Sequence, residues 1–218
     1  MPLPDRRSQI AGAAIELIAE SGVRALTHRA LDRRLSLPEG STSYYFRTRR
    51  ALLEAVATEL ADRARQDFVA SALSTPSPDT GVDEIAGAIA AYVDRLLVAR
   101  KAETLARYAL SIELQQDPDL RSLAVSGPFS VEASTSLMFA LGAPDARAAG
   151  EGLVSLLEGV LFSRTAGSTA PPEPRPGPAG SRASLAVPVA AYLRGVAGPS
   201  APAYRPSDTE ARPGSGIE

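Results

Sequence analysis

The stretch Leu37-Pro38-Glu39-Gly40-Ser41-Thr42-Ser43-Tyr44-Tyr45-Phe46, followed by Arg47-Thr48-Arg49-Arg50, decides how the chain is read. It is polar over Glu39 to Ser43 and ends in three consecutive aromatics. A helix buried on one face repeats apolar residues every three to four positions. Here only Leu37 and Phe46 qualify as anchors, with small or hydrogen-bonding residues between them. Gly40, Ser41 and Ser43 let a helix approach another surface closely. Tyr44 and Tyr45 each add a flat ring with a hydroxyl, and Arg47, Arg49 and Arg50 add positive charge. Two readings fit: a solvated surface turn, or a short helix lying in a DNA major groove with the phosphates held alongside.

The residues before the stretch favour the second. Asp5 is placed to cap a helix that carries Ile10, Ala14, Leu17 and Ile18 at helical spacing and ends at Gly22. Arg6 and Arg7 fall in its first turn, where the helix dipole opposes them; a phosphate would reward them, and so would plain solvation. Thr27 is the next cap, with Leu26 and Leu31 at the positions of a hydrophobic staple. Ala30, Leu31 and Leu35 make a helix of about two turns. Pro38 stops it and suits the first turn of the following helix. A helix and then two short helices joined by a tight turn is a helix-turn-helix, with the second short helix as the reader.

Charge points the same way. Residues 1–53 hold nine arginines against five acids, a balance of +4, although the whole chain of 218 residues carries −2. The remainder is therefore at −6, and a basic head on an acidic body is built to meet a polyanion. Lys101 is the only lysine, so the head's charge is all arginine, which forks onto phosphate and guanine. There is no cysteine, which excludes disulfides and thiolate chemistry, and His28 is the only histidine. No metal ligand spacing and no phosphate-binding glycine loop occurs, so no catalytic residues, no metal and no cofactors are expected. No N-terminal apolar run resembles a signal peptide, and a cytoplasmic location is expected.

The rest reads as helix without period-2 alternation. Arg49 to Leu73 is expected to be one long helix, closed by a Ser/Pro loop. Ile85, Ile89, Tyr92, Val93, Leu96 and Leu97 mark a helix, and Leu105, Tyr108, Ala109 and Ile112 another that ends at Asp117-Pro118. Leu120 to Leu141 is expected as one helix bent near Gly127-Pro128. Pro144 or Asp145 opens a helix to about Thr165, with Gly152 and Gly159 on a similar face. Residues 169–181 are a proline-rich linker, Ser184 to Val196 is a last helix that Pro188 kinks or opens, and the tail from Gly198 is expected to be disordered.

With Ile10–Gly22, Thr27, Gly40 and Phe46 in the Leu37–Phe46 segment, and Arg49-Arg50-Ala51-Leu52-Leu53, the first 55 residues resemble the tetracycline-repressor (TetR) family of bacterial regulators. Glu113-Leu114-Gln115-Gln116-Asp117-Pro118 and Leu156-Leu157-Glu158-Gly159-Val160 resemble its ligand-binding and dimerisation region more weakly. The resemblance implies an all-α fold of roughly nine helices. An N-terminal helix-turn-helix DNA-binding domain would span 1–53, a C-terminal helical ligand-binding and dimerisation domain 54–197, and a tail 198–218. It implies a homodimer on a double-stranded palindromic DNA operator, acting as a repressor that an unidentified small-molecule effector releases. A ligand-independent helical adaptor and a small helical enzyme are the alternatives.

Expected DNA contacts are Thr27, Arg29, Glu39, Gly40, Ser41 and Ser43, then Tyr44, Tyr45, Arg47 and Arg49. Thr27 and Arg49 would hold phosphates, while Glu39, Ser41 and Tyr44 would face base edges. Phe46 is assigned to the core. Expected ligand contacts are Tyr92, Tyr108, Phe129, Met138, Phe139 and Phe162, with Glu113 and Glu158 as polar groups. Those residues include no basic cluster, so an apolar or weakly cationic ligand is expected. Dimerisation would use the Pro144–Thr165 and Ser184–Val196 helices in a four-helix bundle.

Overall fold

The computed structural model describes residues 5–71, 80–125, 127–167, 169–170 and 179–198. Among them are ten α-helices and one short 3-10 turn, with no strand. The helices are α1 (Arg6–Ser21), α2 (His28–Arg34), α3 (Ser41–Tyr45), α4 (Arg49–Val69) and α5 (Val82–Val98). They continue with α6 (Lys101–Glu113), α7 (Pro118–Val125), α8 (Val131–Ala140), α9 (Ala146–Thr165) and α10 (Ala179–Val196). The expected tail, most of the proline-rich linker and Leu73 lie outside the described residues.

Local chemistry sets the helix ends. Thr27, Thr48, Ser130 and Asp145 each accept a backbone N–H three residues on, capping α2, α4, α8 and α9. Asp5 stands at the N-cap of α1 without a side-chain bond, and Gly22 ends that helix at φ 78°.

Two apolar cores result. The first packs α1 to α4 around Ile10, Ile15, Leu26, Leu31, Phe46 and Val56, and it is completed by Ala106, Leu110 and Leu114 from α6 and Leu120 from α7. The second is formed by α5, α8, α9 and α10 around Ile89, Tyr92, Met138, Leu153, Leu161 and Leu193. Helix α10 lies antiparallel to α5: Arg182 at its start bonds Asp94 near the end of α5 at 3.0 Å, and Arg194 pairs with Asp83 at the opposite end. Helix α6 joins the first core to α9, since Ala106 and Leu110 face the head while Arg107 and Tyr108 bond Glu158 on α9.

Several expectations change. Leu120 to Leu141 is two helices, α7 and α8, divided around Gly127-Pro128, where proline removes a donor and restricts the residue before it. Pro38 precedes α3 instead of opening it: Ser41 N and Oγ both donate to the Pro38 carbonyl, at 3.1 and 2.6 Å, closing a turn. Gly40 then forms the N-cap at φ 90°, a left-handed value that favours glycine. The last helix begins at Ala179, inside the expected linker, and carries Pro188 within it. Ile112, taken as a core marker, is exposed; the buried face of α6 is Ala106, Arg107 and Leu110.

Candidate nucleic-acid interface and effector region

Helix α3 has five residues, too few to stand alone. Its support comes from Asp32 on α2, a carboxylate only 3% exposed. Asp32 Oδ2 accepts the Gly40 N–H at 2.8 Å, and Oδ1 accepts both the Thr42 N–H at 2.8 Å and the Thr42 hydroxyl at 2.6 Å. The side chain of one helix thus caps the first turn of the next. Burial pushes this carboxyl's pKa up, but the bonds from Thr42 and Gly40, with His28 nearby, outweigh it and hold the pKa below its ordinary value. Neither Asp32 nor Thr42 is among the sequence-derived site residues. No local signal marks them, since Asp32 is followed by Arg33-Arg34 and Thr42 stands between Ser41 and Ser43.

The clamp fixes which side chains face outward. Tyr44 is 80% exposed, and Ser43 is exposed beside it. Tyr45 packs half-buried on the head core, edge-on to Tyr44 at 5.2 Å between centroids. Phe46 is in the core as expected, 3% exposed; its carbonyl lies 2.6 Å from His28 Nε2 and its ring lies under the Arg7 guanidinium at 5.2 Å. That stacking accounts for Arg7 without a phosphate.

Other expected contacts have partners within the chain. Arg29 Nε pairs with Glu39 at 2.9 Å, both side chains exposed. The Gly40 N–H and the Ser41 hydroxyl are taken up by Asp32 and Pro38. Thr27 Oγ1 accepts from Ala30 N at 3.1 Å and keeps its own proton to donate. Arg49 sends Nη1 to the Leu26 carbonyl at 2.5 Å and Nη2 to the Val23 carbonyl at 2.9 Å, bracing α4 against the chain before α2. Arg47 is exposed and, among the described residues, has no ion-pair partner. Arg50 pairs with Asp117 and Asp119, joining α4 to the start of α7.

In the C-terminal part the expected ligand contacts fall in two groups, Tyr92 with Phe129 and Tyr108 with Glu158 and Phe162. Tyr92 is buried, edge-on to Phe129 at 6.1 Å and to Phe68 at 6.3 Å. Burial, and then Asp67, push its phenol up to about 12. Tyr108 meets Phe162 edge-on at 5.3 Å and donates to Glu158 Oε2 at 3.0 Å; burial and then Glu158 raise its pKa. Met138 sits in the second core with Tyr92, and Phe129 packs against that core, whereas Glu113 and Phe139 are exposed, so the structure sets only these two apart from the other expected ligand contacts. The sequence reading missed Arg107, 7% exposed, which bonds Glu158 at 2.9 Å and lies over the Tyr108 ring at 4.9 Å. It also missed Arg95, over the Tyr92 ring at 5.4 Å. The named residues hold no basic group, but α5 and α6 each bring a guanidinium to their aromatics.

Among the described residues no group of acids and histidine has metal-holding geometry, and no helix is long and apolar enough to cross a membrane.

Residues 10–56 match the tetR family of bacterial regulatory proteins, and residues 80–198 match the tetracyclin repressor-like C-terminal domain. No curated protein sequence matches the chain. Solved structures share the fold. A transcriptional regulator from Rhodococcus sp. Rha1 gives a TM-score of 0.69 at 18% identity, over 90% of this chain and 100% of that one. A TetR-family member from Streptomyces coelicolor A3 gives 0.63 at 24% identity, over 85% and 98%. The multidrug binding protein EbrR, complexed with malachite green, gives 0.60 at 23% identity, again over 85% and 98%. These likenesses carry the fold, and the two matched domains, the second spanning more than half of the chain, carry the family. The chain belongs to the TetR family of DNA-binding bacterial transcriptional regulators.

Proposed function

We propose that the protein is a homodimeric repressor that binds a palindromic operator and is released by a small-molecule effector. The observation that carries this reading is helix α6. It gives Ala106, Leu110 and Leu114 to the core of the DNA-binding head and Arg107 and Tyr108 to the aromatic cluster at α9. A ligand that rearranges that cluster acts on a helix that is part of the head. Helix α4 follows, because Arg100 holds Asp67 with bonds of 2.7 and 3.0 Å and Glu103 takes both Arg63 and Arg100. Ligand and DNA then oppose each other through one reciprocal coupling energy. EbrR, a protein of the same fold, is named as multidrug binding and was solved with ethidium and proflavin, which supports a ligand among these helices.

In this reading Ser43 and Tyr44 face base edges, together with Glu39 where it releases Arg29. Thr27, Arg29 and Arg47 hold phosphates. Two heads reach half-sites about 34–36 Å apart. The dimer forms on α9 and α10. Gly159 has nothing within 4 Å of where a Cβ would stand, and it lines a concavity of about 480 Å³ with Leu156 and Val160. Val187 leaves apolar surface exposed on α10. Gly152 differs, because a Cβ there would strike Tyr192, whose hydroxyl donates to Ala149; that glycine serves packing within the chain.

A mobility-shift selection on random genomic fragments tests the reading. Enrichment of palindromic sequences is expected. Sequence-blind binding, or none, would remove the operator function.

A further inference from the structure

The polar groups of the region between α5, α6 and α9 are unequally occupied. The Tyr92 hydroxyl donates to the Pro128 carbonyl at 3.2 Å, and the Tyr108 hydroxyl to Glu158. Glu158 is shared by Tyr108 and Arg107, while Asp67 is held by two of the three guanidinium nitrogens of Arg100. What remains is donor capacity on cations. Arg107 Nη2 is buried and has no hydrogen-bond partner among the described residues, and Arg95 Nε is in the same state. Another nitrogen of Arg95 reaches the Asp67 carbonyl, at 3.3 Å. Buried donors are nearly always met, and those on a charged group are the costliest to leave unmet. Such a leftover donor marks the chemistry of what it awaits.

We propose that this region binds a small organic acid with a ring-shaped apolar body, its carboxylate taken by Arg107 Nη2 and its ring by Tyr108 and Phe162. The proposal rests on the effector-responsive reading above and names the class of molecule. A guanidinium presents planar N–H donors that match a carboxylate in shape and charge. Glu158 holds Nη1 at 2.9 Å and so orients the fork, leaving Nη2 to the ligand. The backbone presses from the other side: a Cβ at Gly127 would lie 2.6 Å from Nη1. Phe162 is exposed and Tyr108 half-buried, so their edge-on pair runs from the surface inward to the guanidinium. A cationic ligand meets the reverse situation, with Glu158 already engaged by Arg107 and Tyr108 and the Arg107 guanidinium there to repel it. Arg107 sits one residue from Ala106 in the head core, so a pull on it bears on the head.

Isothermal titration of the full chain tests the class directly. The probes are benzoate, naphthoate and indoleacetate, each against its primary amide, with benzyltrimethylammonium as the cation. At least one acid should bind about tenfold or more tighter than its amide. The double variant R107Q/E158Q, which neutralises both partners, should erase that preference while unfolding near the wild-type temperature. R107K, which keeps the charge but not the fork, should retain part of it. Equal binding of acid and amide, binding of the cation alone, no acid binding at millimolar concentration, or an unchanged preference in the double variant would each overturn the proposal. A mobility shift with the bound acid separates the two readings. Acid binding without loss of DNA affinity sinks the effector reading and keeps the site. DNA release by the cation, with no acid bound, does the opposite.

Discussion

Replacing Asp32 with alanine removes the acceptor of three hydrogen bonds, at 2.8, 2.8 and 2.6 Å. Bonds to a charged acceptor are worth about 1.5–3 kcal/mol each, and a buried donor left without a partner costs about 1–3 kcal/mol. Gly40 is exposed, so its N–H recovers a bond to water; Thr42 is fully buried, so its N–H and hydroxyl do not. Relief of the carboxylate's own burial offsets part of the loss. The net expectation is about 3 kcal/mol, which for a chain of this length lowers the unfolding midpoint by about 6–12 °C. The double variant Asp32→Ala/Thr42→Leu removes the hydroxyl together with its acceptor and should regain that bond's share, about 1 kcal/mol, while the buried backbone N–H at position 42 stays without a partner. For DNA, Asp32→Ala should weaken binding about tenfold or more, since α3 is too short to hold its own shape. The salt dependence should stay as it was, because no phosphate-holding cation is lost. The carboxyl's pKa lies below the ordinary 3.8, so its stabilisation is whole above that value and is lost as pH falls through the lowered one. Calorimetry of wild type and Asp32→Ala from pH 7 down to about pH 3 should therefore show the difference narrowing only at the acid end. A single variant as stable as wild type, or a double variant worse than the single, would refute the clamp.

Three further outcomes follow from the interface and the α9 surface. Arg49→Ala should cost about 1–2 kcal/mol of stability, through the lost bonds to Val23 and Leu26, and leave the salt slope of DNA binding unchanged. Arg47→Ala should instead flatten that slope by about one unit; the reverse pattern would return the phosphate role to Arg49. Arg29→Ala should likewise flatten the slope by about one unit, with stability within about 0.5 kcal/mol because its pair with Glu39 is exposed. No change in slope would leave Arg29 without a phosphate. Gly159→Leu should give monomers or mispaired dimers in sedimentation, while Gly152→Ala should destabilise the fold through Tyr192. An intact Gly159→Leu dimer would remove that face.

Much of the head was legible because its signals are local. Thr27 caps α2 three residues ahead of the N–H it accepts, Gly22 ends α1, and Phe46 is core at the close of a polar run. Such cues act within one turn of chain. The Asp32 clamp was not legible, since its partners are eight and ten residues away on another helix and each residue looks ordinary in its own pattern. The same holds for Arg49, whose bonds run 23 and 26 residues back. It read as a phosphate contact because an arginine opening a helix after a reader segment has that use when its side chain is free. Arg107 was passed over because α6 was read by its apolar residues alone, which placed Ile112 inside and left the buried arginine unconsidered. Its partner Glu158 lies 51 residues on, a pairing that only the packing of α6 against α9 creates.

Light scattering of the protein on a fragment recovered by the genomic selection tests the central claim most directly. The account predicts two chains on each palindromic duplex, and one chain on none. A single chain bound at micromolar concentration would contradict it.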